Sequence, residues 1–347
     1  MADGHRVTSR NVSTLIAELT TLRLGGCADR VVDAGTSEEL VEAIRSADAA
    51  NESVLIVGGG SNLVAADEGW PGVVVRVRTS GVQLAPDGDA LAVTVAAGES
   101  WDDFVALTVA EGWSGLASMS GIPGLAGATP VQNVGAYGSE VADTITTLQV
   151  YDRSTRTVAT WTPAQCGFGF RTSTFKHTDR YIVLTATFAL RRTPDAVPVR
   201  YAELARRLGV EPGAVAPSTE VRDMVLELRR TKGMVLDAAD HDTWSVGSFF
   251  VNPFVDAGVA PADCPQWTVD GQVKLSAAWL IENAGFHRGY GLPGKVAVST
   301  KHTLALTNRG GATTAELLDL AREIQAGVEL KFGISLRPEA HLVGVSL

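Results

Sequence analysis

The sequence predicts an α+β protein of three domains, and three observations lead to this prediction. Strand and helix signals alternate over about the first 80 residues, which indicates a small mixed unit. From residue 91 onwards, apolar runs separated by turn signals are typical of antiparallel strands. The last third has helices and strands of its own, and no internal repeat of roughly 20–50 residues is visible.

Local signals define the N-terminal elements. Thr36 and Glu39 have the spacing of a capping box, which predicts a helix that runs from there towards residue 50. The apolar runs that predict strands in this part are residues 30–34, 54–57 and 73–77.

The remaining elements complete the three predicted domains, which are residues 1–80, 81–230 and 231–347, with the last strand able to return to the first part. The predicted strands are residues 92–96, 148–152, 157–161, 181–190, 303–307 and 334–343. The predicted helices are residues 101–111, 201–208, 275–283, 314–332 and an amphipathic helix with Val221, Met224, Val225 and Leu228 on one face.

Composition excludes several classes of protein. The 347 residues are 45% hydrophobic and 20% charged, which argues against disorder. A net charge of −10 makes general nucleic-acid binding a poor hypothesis, because phosphates need basic patches. The N-terminus lacks a signal-peptide core, and no window reaches the ~20 apolar residues of a membrane span. We therefore expect a cytoplasmic protein without membrane or nucleic-acid partners.

Metal and disulfide chemistry are also not predicted. The three cysteines, Cys27, Cys166 and Cys264, are far apart and odd in number, and they form no zinc-ligand pattern. The six histidines show no HxH or HExxH spacing. Asp240, His241 and Asp242 look superficially like a metal site, but an exposed loop is the better interpretation. We expect no bound metal.

The first glycine cluster follows a predicted strand. Gly58, Gly59 and Gly60 precede Ser61 and Asn62, and glycines allow backbone N–H groups to approach a phosphate closely. The dinucleotide pattern GxGxxG fails because a leucine stands at the third glycine position, and no P-loop lysine follows. The cluster indicates an anion site, with a tight structural turn as the alternative.

The second glycine-rich segment, residues 120–138, is long and uncharged, which is unusual for an ordinary connector. Its backbone donors, the amides of Gln132 and Asn133, and the ring of Tyr137 suit a pyrophosphate and a flat heterocycle. A flexible surface loop is the alternative.

Three further residues are candidates for chemistry. Arg171 stands at a predicted strand position among apolar and aromatic residues, where its guanidinium needs an anionic partner; a structural ion pair is the alternative. Ser248 lies between a glycine and two aromatics and could donate a proton, although a turn serine is the commoner case. Glu339 is a carboxylate in an otherwise apolar terminal strand, where it is either paired or functional.

Taken together, these segments resemble the UDP-N-acetylenolpyruvoylglucosamine reductases (MurB), flavoenzymes of peptidoglycan precursor synthesis. The resemblance implies an FAD-binding fold of the vanillyl-alcohol-oxidase type, made of two α+β subdomains, plus a C-terminal α+β substrate-binding domain. It runs from about residue 20 to residue 344. The motifs that carry it are residues 21–26, 58–63, 120–138, 170–177, 247–253, 273–282, 299–302 and 336–339.

The resemblance implies roles for individual residues. The catalytic set falls on Arg171, Ser248 and Glu339, and serine at 248 matches the subgroup with a tyrosine loop over the substrate. Substrate contacts fall on Tyr201, Lys232 and Asn252. Contacts to FAD fall on Gly58, Gly59, Gly60, Ser61, Asn62, Ser120, Gly121, Ile122, Pro123, Gly124, Gln132, Asn133, Gly135, Tyr137, Gly138, Val183 and Arg229.

The chain departs from the family pattern in places. Val251 stands where a basic residue often precedes Asn-Pro, so one phosphate contact is lost or moved. Residues 128–130 differ from the small residues that the family usually has in this loop, and residues 233–246 do not align clearly with the family pattern.

The resemblance implies two half-reactions. NADPH reduces FAD, and hydride then passes from the flavin to C3 of the enolpyruvyl group while Ser248 protonates C2. Arg171 and Glu339 stabilise the developing enolic charge. The expected partners are the UDP-sugar and NADPH, and the expected state is a monomer. The alternatives are another FAD-dependent oxidoreductase of the same fold, such as an alcohol oxidase, or a non-catalytic nucleotide-sugar binding protein.

Overall fold

The computed structural model describes residues 9–10, 14–256, 258–269 and 271–347, and these contain seven α-helices, five short 3-10 helices and nineteen strands. The helices are α1 Ser37–Ala49, α2 Trp101–Ala110, α3 Pro163–Cys166, α4 Ala202–Leu208, α5 Ser218–Thr231, α6 Ala277–Asn283 and α7 Thr314–Phe332.

Most strands are short. They are β1 Ser9–Arg10, β2 Ala28–Ala34, β3 Ser53–Val57, β4 Leu63–Ala65, β5 Trp70–Val77, β6 Val82–Asp87, β7 Ala90–Ala96, β8 Trp113–Ser114, β9 Gly135–Ala136, β10 Ser139–Glu140, β11 Ile145–Asp152, β12 Thr157–Trp161, β13 Tyr181–Arg192, β14 Phe254–Val255, β15 Gln266–Val269, β16 Gln272–Leu275, β17 Val296–Val298, β18 Leu306–Asn308 and β19 His341–Val343.

The chain divides into two units. Among the described residues, the first contains 9–10, 29–59 and 72–230, and the second contains 14–28, 60–71 and those that follow residue 230. This division differs in its bounds from the three predicted domains, since two short N-terminal segments group with the C-terminal part. For the segment that contains β4 the reason is a parallel ladder that joins residues 63–65 to residues 341–343. The earlier segment is held by the Asn308 side chain, which donates to the Leu22 and Arg23 carbonyls.

A four-stranded sheet opens the first unit, in the order β1-β2-β5-β3, with β3 and β5 parallel. Helix α1 begins as its capping signal predicts, because the Thr36 hydroxyl accepts a hydrogen bond from the Glu39 amide at 3.1 Å. The helix buries Leu40, Ile44 and Ala47. The first glycine cluster, residues 58–60, lies in the connection between β3 and β4.

The second sheet of the first unit is antiparallel. Its strands follow the order β12-β11-β13-β7-β6, and β8 pairs with β13. Helix α2 buries Trp101 and Phe104 with Phe188 of β13, and the three ring centroids lie 5.6–6.0 Å apart. The strand β6 escapes sequence-based detection because five of its six residues are exposed, so it lacks the apolar alternation of a half-buried strand.

The second unit packs α6 and α7 over small sheets. Helix α7 has the predicted bounds and a capping box formed by Thr313 and Glu316. Its apolar face is buried in a core with residues of α6 and with Phe249 and Phe250. The core residues on α7 are Leu317, Leu318, Leu320, Ala321, Ile324 and Val328.

Three predicted strand assignments differ from the structure. Residues 303–305 of the predicted strand 303–307 are not extended, because residues 303 and 304 form a turn and β18 begins at Leu306. Only His341–Val343 of the predicted strand 334–343 is a strand, and Glu339 precedes it. Pro338 cannot donate a ladder hydrogen bond, and it makes a single bridge with Phe250 instead. Arg171 is not on a strand either: its φ of 52° places it in a left-handed turn, beside a bridge between Gly169 and Thr172.

Candidate active site

The first glycine cluster turns where other residues could not fit. A Cβ at Gly59 would lie 2.7 Å from the Gly124 Cα, which belongs to the second glycine-rich segment. At Gly60, φ is 60° and a Cβ would lie 1.9 Å from the Leu19 carbonyl oxygen. The backbones at these two glycines are therefore in direct contact with other backbone, and the sequence needs glycine for steric reasons. Gly58 is exposed, whereas Ser61 and Asn62 are half-buried.

The second segment is built into the first unit. Ser120 is fully buried, and its hydroxyl donates to the Ala117 carbonyl at 2.7 Å. The Gly121 amide donates to the Asp102 carboxylate at 2.6 Å, and the Gly124 carbonyl accepts from the Trp101 amide at 3.0 Å. Helix α2 thus holds the segment at its N-terminal end. Ile122, Pro123, Gly124 and Gln132 are half-buried.

Arg171 reaches the far end of the same segment. Its guanidinium donates to the Gly135 carbonyl at 2.6 Å and to the Asn133 carbonyl at 3.4 Å. Glu140 forms an ion pair with it at 3.6 Å. The structure therefore brings the predicted catalytic arginine onto the predicted FAD segment, with 23% of its side chain exposed.

Asn133 fixes this arrangement. The residue is 1% exposed, and its side-chain nitrogen donates to Glu140 at 2.7 Å and to the Gly169 carbonyl at 3.1 Å. Its side-chain oxygen accepts from the Ala142 amide at 3.2 Å. Both ends of the amide are thus occupied by protein groups, so the side chain of Asn133 positions the Arg171 turn.

A cationic and aromatic group lies in the same unit. Arg229 of α5 is 9% exposed, and burial lowers the pKa of its guanidinium. The rings of Tyr137 and Tyr201 meet edge to face with centroids 5.3 Å apart, and burial raises the pKa of both hydroxyls. A predicted cofactor residue and a predicted substrate residue are therefore neighbours. Gly138 lies beside Tyr201, and a Cβ there would be 3.6 Å from its amide nitrogen. Val183 is a core residue of the antiparallel sheet.

The second unit brings Ser248 and Glu339 onto facing backbone segments. The Glu339 amide donates to the Phe249 carbonyl at 2.8 Å, and the Val251 amide donates to the Arg337 carbonyl at 3.0 Å. The Asn62 side chain donates to the Glu339 carbonyl at 3.2 Å, directly after the first glycine cluster. Ser248 and Glu339 are both half-buried. The backbone of Glu339 therefore pairs with that of Phe249, the residue that follows Ser248.

The predicted substrate residues of this unit have definite surroundings. The side-chain oxygen of Asn252 accepts a hydrogen bond from the Ala277 amide, at the start of α6, at 2.9 Å. Lys232 follows the last residue of α5 and is half-buried.

Comparison with known proteins identifies the family. A profile described as FAD binding domain matches residues 28–160, and one described as UDP-N-acetylenolpyruvoylglucosamine reductase, C-terminal domain, matches residues 239–343. A curated UDP-N-acetylenolpyruvoylglucosamine reductase of Salinispora arenicola is 54% identical over 345 residues, which cover 96% of this chain and 95% of the relative. The chain belongs to this reductase family.

Two other relatives agree. A UDP-N-acetylenolpyruvoylglucosamine reductase of Thermobifida fusca is 51% identical over 354 residues, covering 98% of this chain and 99% of that one. The crystal structure of the MurB enzyme of Thermus caldophilus aligns with a TM-score of 0.67 at 24% identity, covering 97% and 99% of the two chains, and so supports the fold. The predicted fold class and family are confirmed, as is FAD as the cofactor.

The residues of this family member fit FAD. The two glycine-rich turns touch at Gly59 and Gly124, where a Cβ has no room. The buried Arg229 contributes positive charge at Asp102, the carboxylate that holds the Gly121 amide of the second segment. Backbone donors and a desolvated guanidinium are suited to a diphosphate, whatever the overall charge of the chain. Among the described residues, no cluster of three His, Cys, Asp or Glu could hold a metal ion, and no helix is long and apolar enough to cross a membrane.

Replacing Gly59 with alanine tests the importance of the close contact between Gly59 and Gly124 for FAD binding. The added Cβ would lie 2.7 Å from the Gly124 Cα. Overpacking of about 1–3 kcal/mol is expected, which corresponds to FAD binding weakened by about one to two orders of magnitude. The measurement is the flavin retained after gel filtration, followed by titration with FAD. Gly35→Ala is the control, because the nearest atom to its Cβ is the flexible end of Glu39 at 3.3 Å. Equal FAD affinity in the Gly59 and Gly35 variants would show that FAD binding does not depend on this contact.

Sequence reasoning missed a partly buried ion pair that holds the second glycine-rich segment. Asp102 of α2 binds Arg222 of α5 at 2.6 and 3.1 Å and also accepts the Gly121 amide. Burial disfavours the charged carboxylate, yet the hydrogen bonds and the charges of Arg222 and Arg229 lower the pKa of Asp102. No local pattern could reveal this pair, because 120 residues separate its members.

The loop at residues 233–246 in this family member is anchored by Asp242. This carboxylate is 4% exposed and accepts from the Thr300 amide and hydroxyl at 2.8 and 2.6 Å and from Arg309 at 2.9 Å. Burial opposes its ionisation, but these hydrogen bonds and the nearby Arg309 lower the pKa of Asp242. The loop is therefore a fixed part of the second unit.

Asp242→Asn should destabilise the protein in a pH-dependent way. A carboxylate with a lowered pKa stabilises the fold above its ordinary pKa of about 3.9, and that contribution is lost as the pH falls through the lowered value. At pH 7 we expect the free energy of unfolding to fall by about 1–3 kcal/mol. Urea unfolding at pH 7 and at acidic pH measures this, with Asp319→Asn as an exposed control. A difference from wild type that stays constant down to pH 3 would contradict the assignment.

Proposed function

We propose that this family member is an FAD-dependent reductase that uses NADPH to convert UDP-N-acetylglucosamine enolpyruvate into UDP-N-acetylmuramate, a step of peptidoglycan precursor synthesis. We expect it to act as a cytoplasmic monomer. The observation that carries the proposal is the hydrogen bond from the Glu339 amide to the Phe249 carbonyl, which pairs the backbone of the proposed acid with the residue that follows the proposed proton donor, Ser248. The identity to named reductases over nearly the whole chain supports it.

FAD, when bound, would supply the chemistry for hydride transfer between NADPH and the vinyl carbon C3 of the substrate. The protein must then manage the charge that develops on the neighbouring atoms. An enol ether is a poor hydride acceptor, because the negative charge that forms at C2 has to be delocalised into the adjacent carboxylate. Positive charge and a proton source at that end of the substrate are therefore the essential contributions of this chain.

Arg171 is proposed to bind the substrate carboxylate. Its guanidinium is oriented by the Gly135 carbonyl at 2.6 Å, and its ion pair with Glu140 is longer, at 3.6 Å. A guanidinium of this kind binds a carboxylate through two parallel hydrogen bonds. As the enolate forms, this fixed positive charge lowers the energy of the transition state.

Ser248 is proposed to deliver a proton to C2. A serine hydroxyl is a weak acid, so the transfer depends on accurate placement and on the negative charge that builds up at C2. Its neighbours on the chain supply that placement, because the Phe249 carbonyl is bonded to the Glu339 amide. Glu339 is proposed to assist at the enolic carboxyl group.

The remaining contacts are proposed to hold the nucleotide portion. Tyr201 is 41% exposed and its ring contacts that of Tyr137. Because it precedes the first residue of α4, it can cover a ligand while the helix stays folded. Lys232 provides a positive charge for the diphosphate, and the side-chain nitrogen of Asn252 provides a donor. Val251 contributes no charge, so binding of the diphosphate depends on Lys232 and Asn252.

Substrate-dependent NADPH oxidation tests the proposal. The purified protein should be yellow and should consume NADPH only when the enolpyruvyl nucleotide is present, with UDP-N-acetylmuramate identified by mass spectrometry. UDP-N-acetylglucosamine, which lacks the enol ether, is the control substrate. Oxygen consumption with a small alcohol would indicate an oxidase instead, and a colourless preparation that binds the nucleotide would indicate a non-catalytic protein.

A further inference from the structure

The segment at residues 21–26 is one of the family motifs, but the reaction as described leaves it without a role. Thr20 and Thr21 are nearly buried, at 7% and 9% exposure. The Thr21 hydroxyl donates to the Ser245 carbonyl at 2.7 Å, and the Thr21 amide donates to the Gly60 carbonyl at 3.2 Å. One residue therefore connects the first glycine cluster with the chain just before Ser248.

The turn that leads to Ser248 begins at the residue that Thr21 holds. The Ser245 hydroxyl accepts a hydrogen bond from the Gly247 amide at 3.1 Å, and Gly247 has a φ of 74°. Ser248 follows immediately, and the next carbonyl, that of Phe249, is fixed by the Glu339 amide. Ser248 is thus anchored on its C-terminal side by the Glu339 segment and on its N-terminal side by this turn.

Two further contacts stabilise the chain next to this turn. The Arg23 guanidinium lies over the Trp244 ring, 3.7 Å from its centroid. Asn308 is 2% exposed. Its backbone amide donates to the Trp244 carbonyl at 3.0 Å, and its side-chain nitrogen donates to the carbonyls of Leu22 and Arg23. The Thr21 hydroxyl is the one of these contacts that reaches Ser245, where the turn starts.

We propose that Thr21 is a positioning residue for Ser248, acting through the Ser245 carbonyl and tying the proton donor to the glycine cluster. The inference rests on the proposed role of Ser248 as proton donor. Loss of the hydroxyl leaves the Ser245 carbonyl buried without this donor, so the turn relaxes and Ser248 moves. A displacement of about 1 Å is enough to slow a chemical step by about 100-fold. Reduction by NADPH does not use Ser248 and should continue.

The test compares Thr21→Val, which keeps the shape and removes the hydroxyl, with Thr21→Ser, which keeps the hydroxyl. In Thr21→Val we expect substrate-driven return of the flavin colour to slow by about 10- to 100-fold, with kcat reduced and KM for the nucleotide within about twofold of wild type. Thr21→Ser should restore most of the rate. The flavin content after gel filtration, which is independent of activity, should match wild type in both variants.

Thr314→Val is the matched control, because its buried hydroxyl also donates to a carbonyl, that of Ala65, at 2.7 Å in the same unit. It should leave both half-reactions unchanged. The proposal is overturned if Thr21→Val reacts at the wild-type rate, if it slows both half-reactions equally, or if Thr314→Val slows the second half-reaction as much. A wild-type protein that never reacts with the nucleotide would instead refute the proposed function.

If Thr21→Val does not fold, Ser245→Ala addresses the same turn from its other end. This variant keeps the carbonyl that Thr21 binds and removes the oxygen that accepts the Gly247 amide. We expect the same selective slowing of the second half-reaction, and an unchanged rate would overturn the proposal.

Discussion

Ser248→Ala should abolish turnover while leaving the reaction with NADPH intact. A positioned proton donor contributes about 10²- to 10⁴-fold to a rate, and alanine has no proton to give. The Phe249 carbonyl remains bonded to the Glu339 amide, since that contact uses only the backbone. The measurement combines steady-state kcat with the anaerobic rate at which NADPH bleaches the flavin. We expect kcat to collapse and the bleaching rate to stay near that of wild type.

Ser248→Cys is the informative companion, because a thiol also carries a transferable proton. We expect it to retain a measurable part of the activity that alanine loses. If Ser248→Ala slows bleaching by NADPH as much as it slows turnover, the residue has a structural role and the assignment as proton donor is wrong.

Arg171→Lys should reduce kcat by about 10²- to 10³-fold, the usual cost of removing one oriented electrostatic contact at a reacting group. The guanidinium forms a planar fork, whereas a lysine ammonium cannot bond the Gly135 carbonyl and a substrate carboxylate in the same geometry. FAD content should be unchanged, because the glycine-rich turns and Arg229 remain. The readouts are kcat and the flavin spectrum.

Arg180→Lys is the control for this substitution, since Arg180 pairs with Asp152 on the surface of the same unit. We expect its kcat within about twofold of wild type, as is usual for changes at exposed pairs. An Arg171→Lys enzyme that equals the Arg180 variant would show that Arg171 only braces the Gly135 turn.

Elements with strong local signals could be predicted from the sequence. Helix α7 was bounded correctly because Thr313 caps its start and Gly333 adopts the left-handed conformation at its end. The strand assignment for residues 334–343 failed because apolar residues do not by themselves select an extended pairing. Pro338 and the parallel partner β4 limit the strand to residues 341–343, and this partner is far away in the sequence.

The site was predictable only in part for the same reason. Glycine clusters and the isolated Arg171, Ser248 and Glu339 are visible in the sequence. The structure pairs the Glu339 backbone with Phe249, next to Ser248, and brings Arg171 to the Gly135 carbonyl. What holds them was not visible. The contact between Thr21 and Ser245 joins residues 224 positions apart, and the buried amide of Asn133 has a role that depends on three-dimensional partners.

Anaerobic stopped-flow absorbance of the wild-type enzyme tests the central claim most directly. NADPH should first bleach the visible flavin absorbance, and the enolpyruvyl nucleotide added afterwards should restore it without oxygen, yielding one UDP-N-acetylmuramate per flavin. Restoration only after air is admitted would contradict the account.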